Sequence, residues 1–254
     1  EEDDEGKLAV IAEDALLGVG SAPNYPVQSK GGFKSNQNAE PGPVLPPIMF
    51  NPPESLLLGG DNQIWAAITG AGESWGGCEI WLSADGDSYW MAQSIYGGAR
   101  MGQLTAPLLD GSDPDTTSTL SVLLAVPDEL TAVTTAEADS GATLCWVDGE
   151  LLSYRDATLT GVAAYNLQYL RRGRLSSPVS AHPAGAPFVR LDDAVWKYSY
   201  TPDQIGKTVW VKFRSFNVFG RAVEDLADVA AYSVLLSPTR VAPEAAQNLQ
   251  LVSA

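Results

Sequence analysis

The chain contains one histidine, His182, and a single histidine limits the nucleophilic chemistry that the sequence can support. A Ser/His/Asp triad would need His182 as its base, held beside a serine on a sharp turn. His182 instead lies in a loop that contains Pro and Gly, residues 179–185. We interpret it as a loop residue that caps a turn, and we predict no catalytic residue and no enzymatic activity.

Aspartates in one turn block provide the only metal alternative in the sequence. Asp110, Asp113 and Asp115 offer the carboxylate oxygens that Ca²⁺ prefers, but the block lacks the late glutamate of an EF-hand loop. Asx turns produce the same letters through local hydrogen bonds. One histidine and two cysteines also exclude a Cys/His zinc module. We predict no metal and no cofactor, and we keep the three aspartates as a calcium candidate.

Trp75 differs from the other tryptophans because it lies in a Gly-rich stretch, residues 72–77 (GESWGG). A tryptophan exposed on such a loop can stack on a sugar ring, so Trp75 is a candidate interaction residue. The remaining six tryptophans lie in strand-like runs, where packing in a core is the commoner role: Trp65, Trp81, Trp90, Trp146, Trp196 and Trp210.

The densest positive charge on the chain is an arginine cluster, Arg171, Arg172 and Arg174. Like charges this close repel one another unless carboxylates neutralise them, and this chain has an excess of carboxylates. We predict that these arginines bond acidic side chains of the same chain or of a neighbouring subunit, rather than nucleic acid. Charge reversal at Arg172 should then weaken folding or assembly and leave affinity for DNA unchanged.

The overall charge excludes several classes of function. The formal net charge is −16 and the pI is near 4.3. Such a chain repels phosphate backbones and anionic lipid, so we predict no sequence-specific binding of nucleic acid. No apolar run approaches the roughly 20 residues of a membrane-spanning helix.

The two cysteines, Cys78 and Cys145, lie in apolar, strand-like stretches that suit buried free thiols. A single disulfide bridge between them is the alternative.

Short apolar runs between frequent Gly and Pro residues predict an all-β fold, a β-sandwich-type core of many short antiparallel strands with long Pro/Gly-rich arms. Helix should stay below about 15%. Asp85-Gly86 and Asp148-Gly149, each flanked by strand-like runs, predict two β-hairpins. The predicted strands are 7–12, 54–58, 63–69, 77–83, 88–95, 99–105, 119–126, 143–147, 150–158, 165–170, 187–191, 194–200, 208–216 and 231–236.

Three regions follow from changes in composition along the chain. Residues 1–47 form an N-terminal strand and an extended arm, and the arm at 21–47 is expected to cross onto a neighbouring subunit. Residues 48–236 form the β-rich domain, with a candidate subdivision near 127–142. Residues 237–254 are predicted to form a linker that leads to a following domain.

Several stretches together resemble a known family. They are residues 75–86 (WGGCEIWLSADG), 149–161 (GELLSYRDATLTG), 169–173 (YLRRG), 181–194 (AHPAGAPFVRLDDA) and 205–220 (IGKTVWVKFRSFNVFG). In this order they resemble the large tail-tip proteins of siphophages and prophages: the host-specificity protein J of lambda-like phages and the related hub protein of gene transfer agents. The resemblance extends from about Lys7 to Leu236 and places this segment just before the fibronectin-like modules.

The resemblance implies a structural protein of the virion. It implies a homotrimer at the phage tail tip, assembled in the host cytoplasm with other tail-tip and baseplate proteins. It also implies attachment to the host and a conduit for DNA, and it supplies no catalytic residues. The alternative is a carbohydrate-binding module for a host surface glycan, with Trp75 and the loops 84–88 and 110–117 as its face; an outer-membrane receptor is the other expected host partner. An enzyme acting on the envelope is a third hypothesis.

Overall fold

Strands dominate the chain in the computed structural model, which describes residues 36–57 and 62–238. Within these residues 44% lie in strands and 8% in helical turns, so the predicted all-β fold with little helix is confirmed. The strands are β1 (Ile48–Phe50), β2 (Asn62–Ala67), β3 (Trp75–Ser83), β4 (Trp90–Tyr96), β5 (Met101–Leu104), β6 (Leu120–Leu124), β7 (Cys145–Val147), β8 (Glu150–Gly161), β9 (Ala164–Arg171), β10 (Pro187–Arg190), β11 (Trp196–Tyr200), β12 (Thr208–Asn217) and β13 (Ala231–Leu235).

Two of the sheets pack face to face as a sandwich. One has the strand order β1-β2-β11 and the other β13-β12-β3-β4, and neighbouring strands are antiparallel throughout. Alternate side chains of β2 and β3 point into the space between the sheets, where Ile64, Ala66, Ile80 and Leu82 are buried together. The alternation of apolar residues that the sequence shows therefore corresponds to the inner faces of the two sheets.

The other six strands close into a barrel with the order β10-β5-β6-β9-β8-β7. Its interior is filled by side chains such as Leu120, Leu152, Leu167 and Phe188, all of them fully buried. Close approach of β5 and β6 depends on Gly102, since a Cβ there would lie 2.0 Å from the carbonyl oxygen of Leu123. These strands were predicted from the sequence, but their closure into a barrel was not.

A third apolar layer joins the barrel to the sandwich. The outer face of β2 presents Trp65 and Ala67, and the outside of the barrel presents Leu151 and Val189 to the same cluster. At its centre the rings of Phe50 and Trp146 stack with their centroids 4.4 Å apart. A layer this apolar makes the barrel and the sandwich parts of one packed body, which agrees with the single compact unit that begins at Gln37.

The barrel is inserted into the sandwich in chain order, because β1–β4 precede it and β11–β13 follow it. The chain passes from the sandwich into the barrel near Arg100 and leaves the barrel near Arg190. These two points are adjacent, because the Arg190 N–H donates to the carbonyl oxygen of Arg100 at 2.8 Å. The candidate subdivision near 127–142 falls elsewhere, inside the barrel between β6 and β7. That segment holds α1 (Thr135–Ser140), which begins with a capping box between Thr134 and Glu137.

Both predicted Asp-Gly hairpins are confirmed. The Asp85 carboxylate accepts the backbone N–H groups of Asp87 and Ser88 in the turn between β3 and β4. Asp148 and Gly149 join β7 to β8 with φ angles of 41° and 96°. Positive φ at both central residues is the requirement of a type I′ hairpin turn, which explains why Asp-Gly was informative.

One predicted strand is wrong, and one short strand was missed. Residues 54–57, the described part of the predicted strand at 54–58, contain a single 3₁₀ turn, Glu54–Leu56, directly after two prolines that cannot donate to a sheet. The missed strand is β1, which is only three residues long. The predicted strand at 7–12 and the linker beyond residue 238 lie outside the described residues. Among the helices of the described residues, none is long and apolar enough to cross a membrane.

Residues 37–47, which make up nearly all of the described part of the predicted arm, contact their own chain. The Leu45 N–H donates to the carbonyl oxygen of Thr69 at 2.9 Å, and the Ala71 N–H donates to that of Pro43 at 3.0 Å. The Asn217 side-chain amide donates to the carbonyl oxygens of Gln37 and Ala39, both at 2.8 Å. These bonds pair the backbone of residues 37–47 with their own chain, and the crossing of the arm onto a neighbouring subunit stays a prediction.

Candidate functional site

The arginine cluster lies at the end of β9, where it contacts carboxylates from distant parts of the chain. Arg171 donates from Nε and Nη2 to the two oxygens of Asp113, at 2.7 and 2.9 Å, and from Nη1 to Asp139 at 2.7 Å. The two aspartates come from the loop before β6 and from α1. Arg171 therefore ties both segments to the barrel through a bidentate ion pair, as the sequence predicted for the cluster.

Arg172 points the opposite way, into the protein. Its Nε and Nη2 atoms donate to the two oxygens of Glu150 at 2.6 and 2.8 Å, and both side chains are completely buried. The guanidinium also donates to the carbonyl oxygens of Leu109 and Ser180, at 3.0 and 2.8 Å. One buried side chain thus joins the first residue of β8 to two separate loops.

His182 completes this buried group. Its Nε2 atom lies 2.9 Å from Glu150 Oε2, and the ring is buried. The backbone of His182 also exchanges two hydrogen bonds with Leu108, at 2.7 and 2.9 Å. The prediction that His182 merely caps a turn was incomplete, because its ring bonds a carboxylate that lies 32 residues earlier in the chain. We call Glu150, Arg172 and His182 the ion lock.

Glu150 remains ionised within the ion lock. Burial by itself raises the pKa of this carboxyl group, but hydrogen bonds from Arg172, His182 and the Gly173 N–H outweigh burial and bring the pKa below its ordinary value. A carboxylate that accepts several donors is stabilised in its charged form, even without water. The cluster is therefore arranged to hold a buried charge, and no face of it is open to a substrate.

The turn that follows Arg172 has an unfavourable backbone conformation, and the N–H of its Gly173 donates to Glu150 at 3.0 Å. Gly173, Leu175 and Ser176 have φ angles of 57°, 52° and 65°, in the left-handed region that non-glycine residues avoid.

Arg174, the third arginine of the cluster, donates to the carbonyl oxygen of Asp139 at 2.8 Å and not to a carboxylate. Acidic partners within the chain are thus confirmed for Arg171 and Arg172, whereas an acidic partner of Arg174 on a neighbouring subunit stays a prediction.

Two of the three calcium candidates, Asp113 and Asp115, are engaged in other interactions. Asp113 accepts from Arg171, and one oxygen of the buried Asp115 accepts the N–H groups of Thr117 and Ser118. The second oxygen of Asp115 faces Arg172 Nη1 at 3.9 Å. Asp110 is exposed and does not join them. No group of three or more His, Cys, Asp or Glu side chains that could hold a metal ion occurs in residues 36–57 and 62–238.

Trp75 is not an exposed loop residue. It begins β3, is half-buried against the sandwich core, and donates from Nε1 to Ser215 Oγ at 3.2 Å. Its ring lies so close to Gly70 that a Cβ on that glycine would be 2.2 Å from the indole. Part of the ring does line a cleft of about 550 Å³. Packing, however, explains both the tryptophan and its glycine neighbours.

The proposed glycan-binding face is not assembled. Trp75 and the 84–88 turn lie at opposite ends of β3, whose nine residues span roughly 26–30 Å at about 3.3 Å per residue. The 110–117 loop is tied to the barrel instead, through Asp113, Asp115 and their arginine partners. These three features therefore do not form one surface for a sugar.

The sequence also contains a serine motif whose letters are typical of hydrolase nucleophiles. Residues 72–76 (GESWG) have the letters of a Gly-x-Ser-x-Gly nucleophile elbow, with Ser74 at the centre. An elbow requires a strand that turns into a helix, whereas Ser74 lies in a turn that enters β3. The ring of His182 is buried in the ion lock, where its Nε2 atom is bonded to Glu150. Ser74 and His182 thus have neither the local structure nor the free base of a triad.

We expect both cysteine thiols to be unreactive in the folded chain. Cys78 and Cys145 are buried and unpaired in the sandwich and the barrel respectively, so the bridge between them is not formed. Burial raises the pKa of each thiol to about 12. Because the thiolate is the reactive species, Ellman's reagent at pH 8 should modify neither thiol of the native chain and both in urea. Rapid modification of the native chain would contradict the buried positions.

Acid should destabilise the fold through the lowered carboxyl pKa values. Glu150, Asp113 and Asp115 all have folded pKa values below their ordinary ones. Such groups stabilise the fold above the unfolded pKa, near 4, and lose that contribution as pH falls through the folded pKa. The urea midpoint should therefore drop between about pH 5 and pH 3, and less steeply in Arg172→Met, where Glu150 has lost its main partner. Parallel profiles would contradict a special role for Glu150.

Fold and site together define a class: an all-β protein in which a closed barrel, fastened at one end by a buried ion lock, is inserted into a sandwich. Residues 99–189 match a family model described as Rcc01698-like, C-terminal. This segment coincides with the barrel, β5 to β10, and includes all three residues of the ion lock. No curated protein matches the chain.

Proposed function

We propose that this chain is a structural segment of a phage-like tail tip, where it forms part of the hub that supports host attachment and DNA delivery. The observation that carries the proposal is the location of the motifs that resemble tail-tip hub proteins. Glu150, Arg172 and His182 come from three of those motifs and meet in the ion lock. Motifs that converge on one structural cluster support a resemblance in architecture.

The charge distribution is compatible with this role. The arginine cluster is engaged by Asp113, Asp139 and Glu150, so the chain keeps its net charge of −16 without a basic surface at this position. A component that surrounds a path for DNA should repel the phosphate backbone and not retain it.

The experiment is to locate the chain on particles released by its source cells. Purified particles are labelled with gold-conjugated antibody against the barrel and examined by negative-stain electron microscopy. Label at the distal end of the tail supports the proposal. Label on the capsid, or particles that lack the chain by mass spectrometry, would overturn it.

A further inference from the structure

The hairpin between β8 and β9 ends in an exposed apolar tip, which we call the knob (residues 159–163). Val162 is 84% exposed and Leu159 is 62% exposed, although both belong to residue types that prefer the interior. Neither side chain belongs to the buried apolar clusters of the described residues. Apolar side chains presented together on a protruding turn are typical of a contact surface.

The knob is held in place. The Leu124 N–H donates to the carbonyl oxygen of Ala163 at 2.9 Å, and Thr160 Oγ1 donates to that of Ala164 at 3.2 Å. Pairing of β8 with β9 continues to Gly161 and Ala164, at the turn itself. The two exposed side chains are thus presented on an ordered support, which limits the entropy lost on binding.

A groove lies directly beside the knob, on the outside of the barrel. It has a volume of about 430 Å³ and is lined by apolar residues that include Leu45, Ile48, Leu123 and Pro187. Knob and groove adjoin, because Leu124, which lines the groove, is hydrogen bonded to Ala163. Each chain therefore offers one apolar projection and one apolar recess on the same side.

The presence of both an apolar projection and an apolar recess on one chain points to a second copy as the occupant, and the distribution of charge permits it. Copies of a chain with net charge −16 repel one another, and a contact between them is opposed least where charge is absent. No residue of the knob is charged, and among the described residues that line the groove none is charged either. We propose that the groove receives the knob of a second copy of this chain, and that this contact drives self-association.

The contact should respond to charges placed on either side of it. Val162→Lys and Gln103→Glu each put an unpaired charge into the contact, and both positions are exposed, so the fold should be unaffected. Each substitution should raise the dissociation constant by about tenfold or more. The double variant pairs the two charges and should restore most of the association.

Sedimentation equilibrium of the full chain over a wide range of concentration is the measurement. Val218→Lys, at an exposed apolar position outside knob and groove, is the matched control and should associate like the wild type. A monomeric wild type, an unchanged mass for Val162→Lys, or a double variant as dissociated as the single ones would overturn the proposal. The inference deepens the self-assembly expected of the proposed hub, but a failure here would leave the location on the particle untouched.

Discussion

Replacing Arg172 with methionine is expected to lower the free energy of unfolding by about 3–5 kcal/mol. The substitution leaves Glu150 charged, fully buried and without its two guanidinium bonds. Leu109 and Ser180 lose their shared donor as well, so two loops are released from the barrel. Charge reversal, Arg172→Glu, places a second carboxylate beside Glu150 and should prevent folding. Urea unfolding followed by circular dichroism measures the first effect.

Arg171→Met is the matched control for this experiment. Arg171 also bonds two carboxylates, but its partners are partly exposed, so the loss should be about 0–1 kcal/mol. Adding Glu150→Gln to Arg172→Met removes the unpaired charge and should recover part of the stability. Equal costs for Arg171→Met and Arg172→Met would show that the ion lock does not stabilise the fold.

Trp146→Ala should cost about 3–5 kcal/mol because it empties the centre of the layer that joins barrel and sandwich. Trp146 is buried and stacks on Phe50, so the variant leaves a cavity that neither side can fill without repacking. Urea unfolding followed by far-UV circular dichroism gives the measurement. Trp90→Ala is the control, since Trp90 is about half exposed and its loss should cost less than about 1 kcal/mol. A similar cost for both tryptophans would contradict the packed layer.

Local features were predictable from the sequence, and the reasons are physical. Asp148-Gly149 specifies its turn through the φ angles of two adjacent residues, and those depend on nothing distant. The arginine cluster was predictable as a site of carboxylate contacts, because three close positive charges require neutralisation. Which carboxylates they would be was not predictable, since Asp113 and Glu150 lie 58 and 22 residues away from the arginines that they bind.

Closure of the barrel was invisible for a different reason. An alternation with a period of two is the same in a sandwich strand and in a barrel strand, and the deciding pairings of β10 with β5 and β7 are non-local.

Trp75 was predicted to lie on an exposed loop because glycines surround it in the sequence. Gly77 is required inside a strand, at a φ of 148°, where a Cβ would lie 2.1 Å from the carbonyl oxygen of Ile95. Glycine at a close approach of two backbones looks, in a sequence, like glycine in a loop.

The insertion of the barrel has a consequence for the order in which a ribosome can complete this protein. β3 leaves the ribosome early, but its partner β12 is synthesised only after the whole barrel. The apolar face of the first strands is therefore exposed to solvent until then. The barrel pairs only with itself and can close as soon as β10 has emerged. Its adjacent ends at Arg100 and Arg190 would then bring the early and late strands of the sandwich together. We therefore expect the barrel to fold first in the nascent chain and the two sheets of the sandwich to form afterwards.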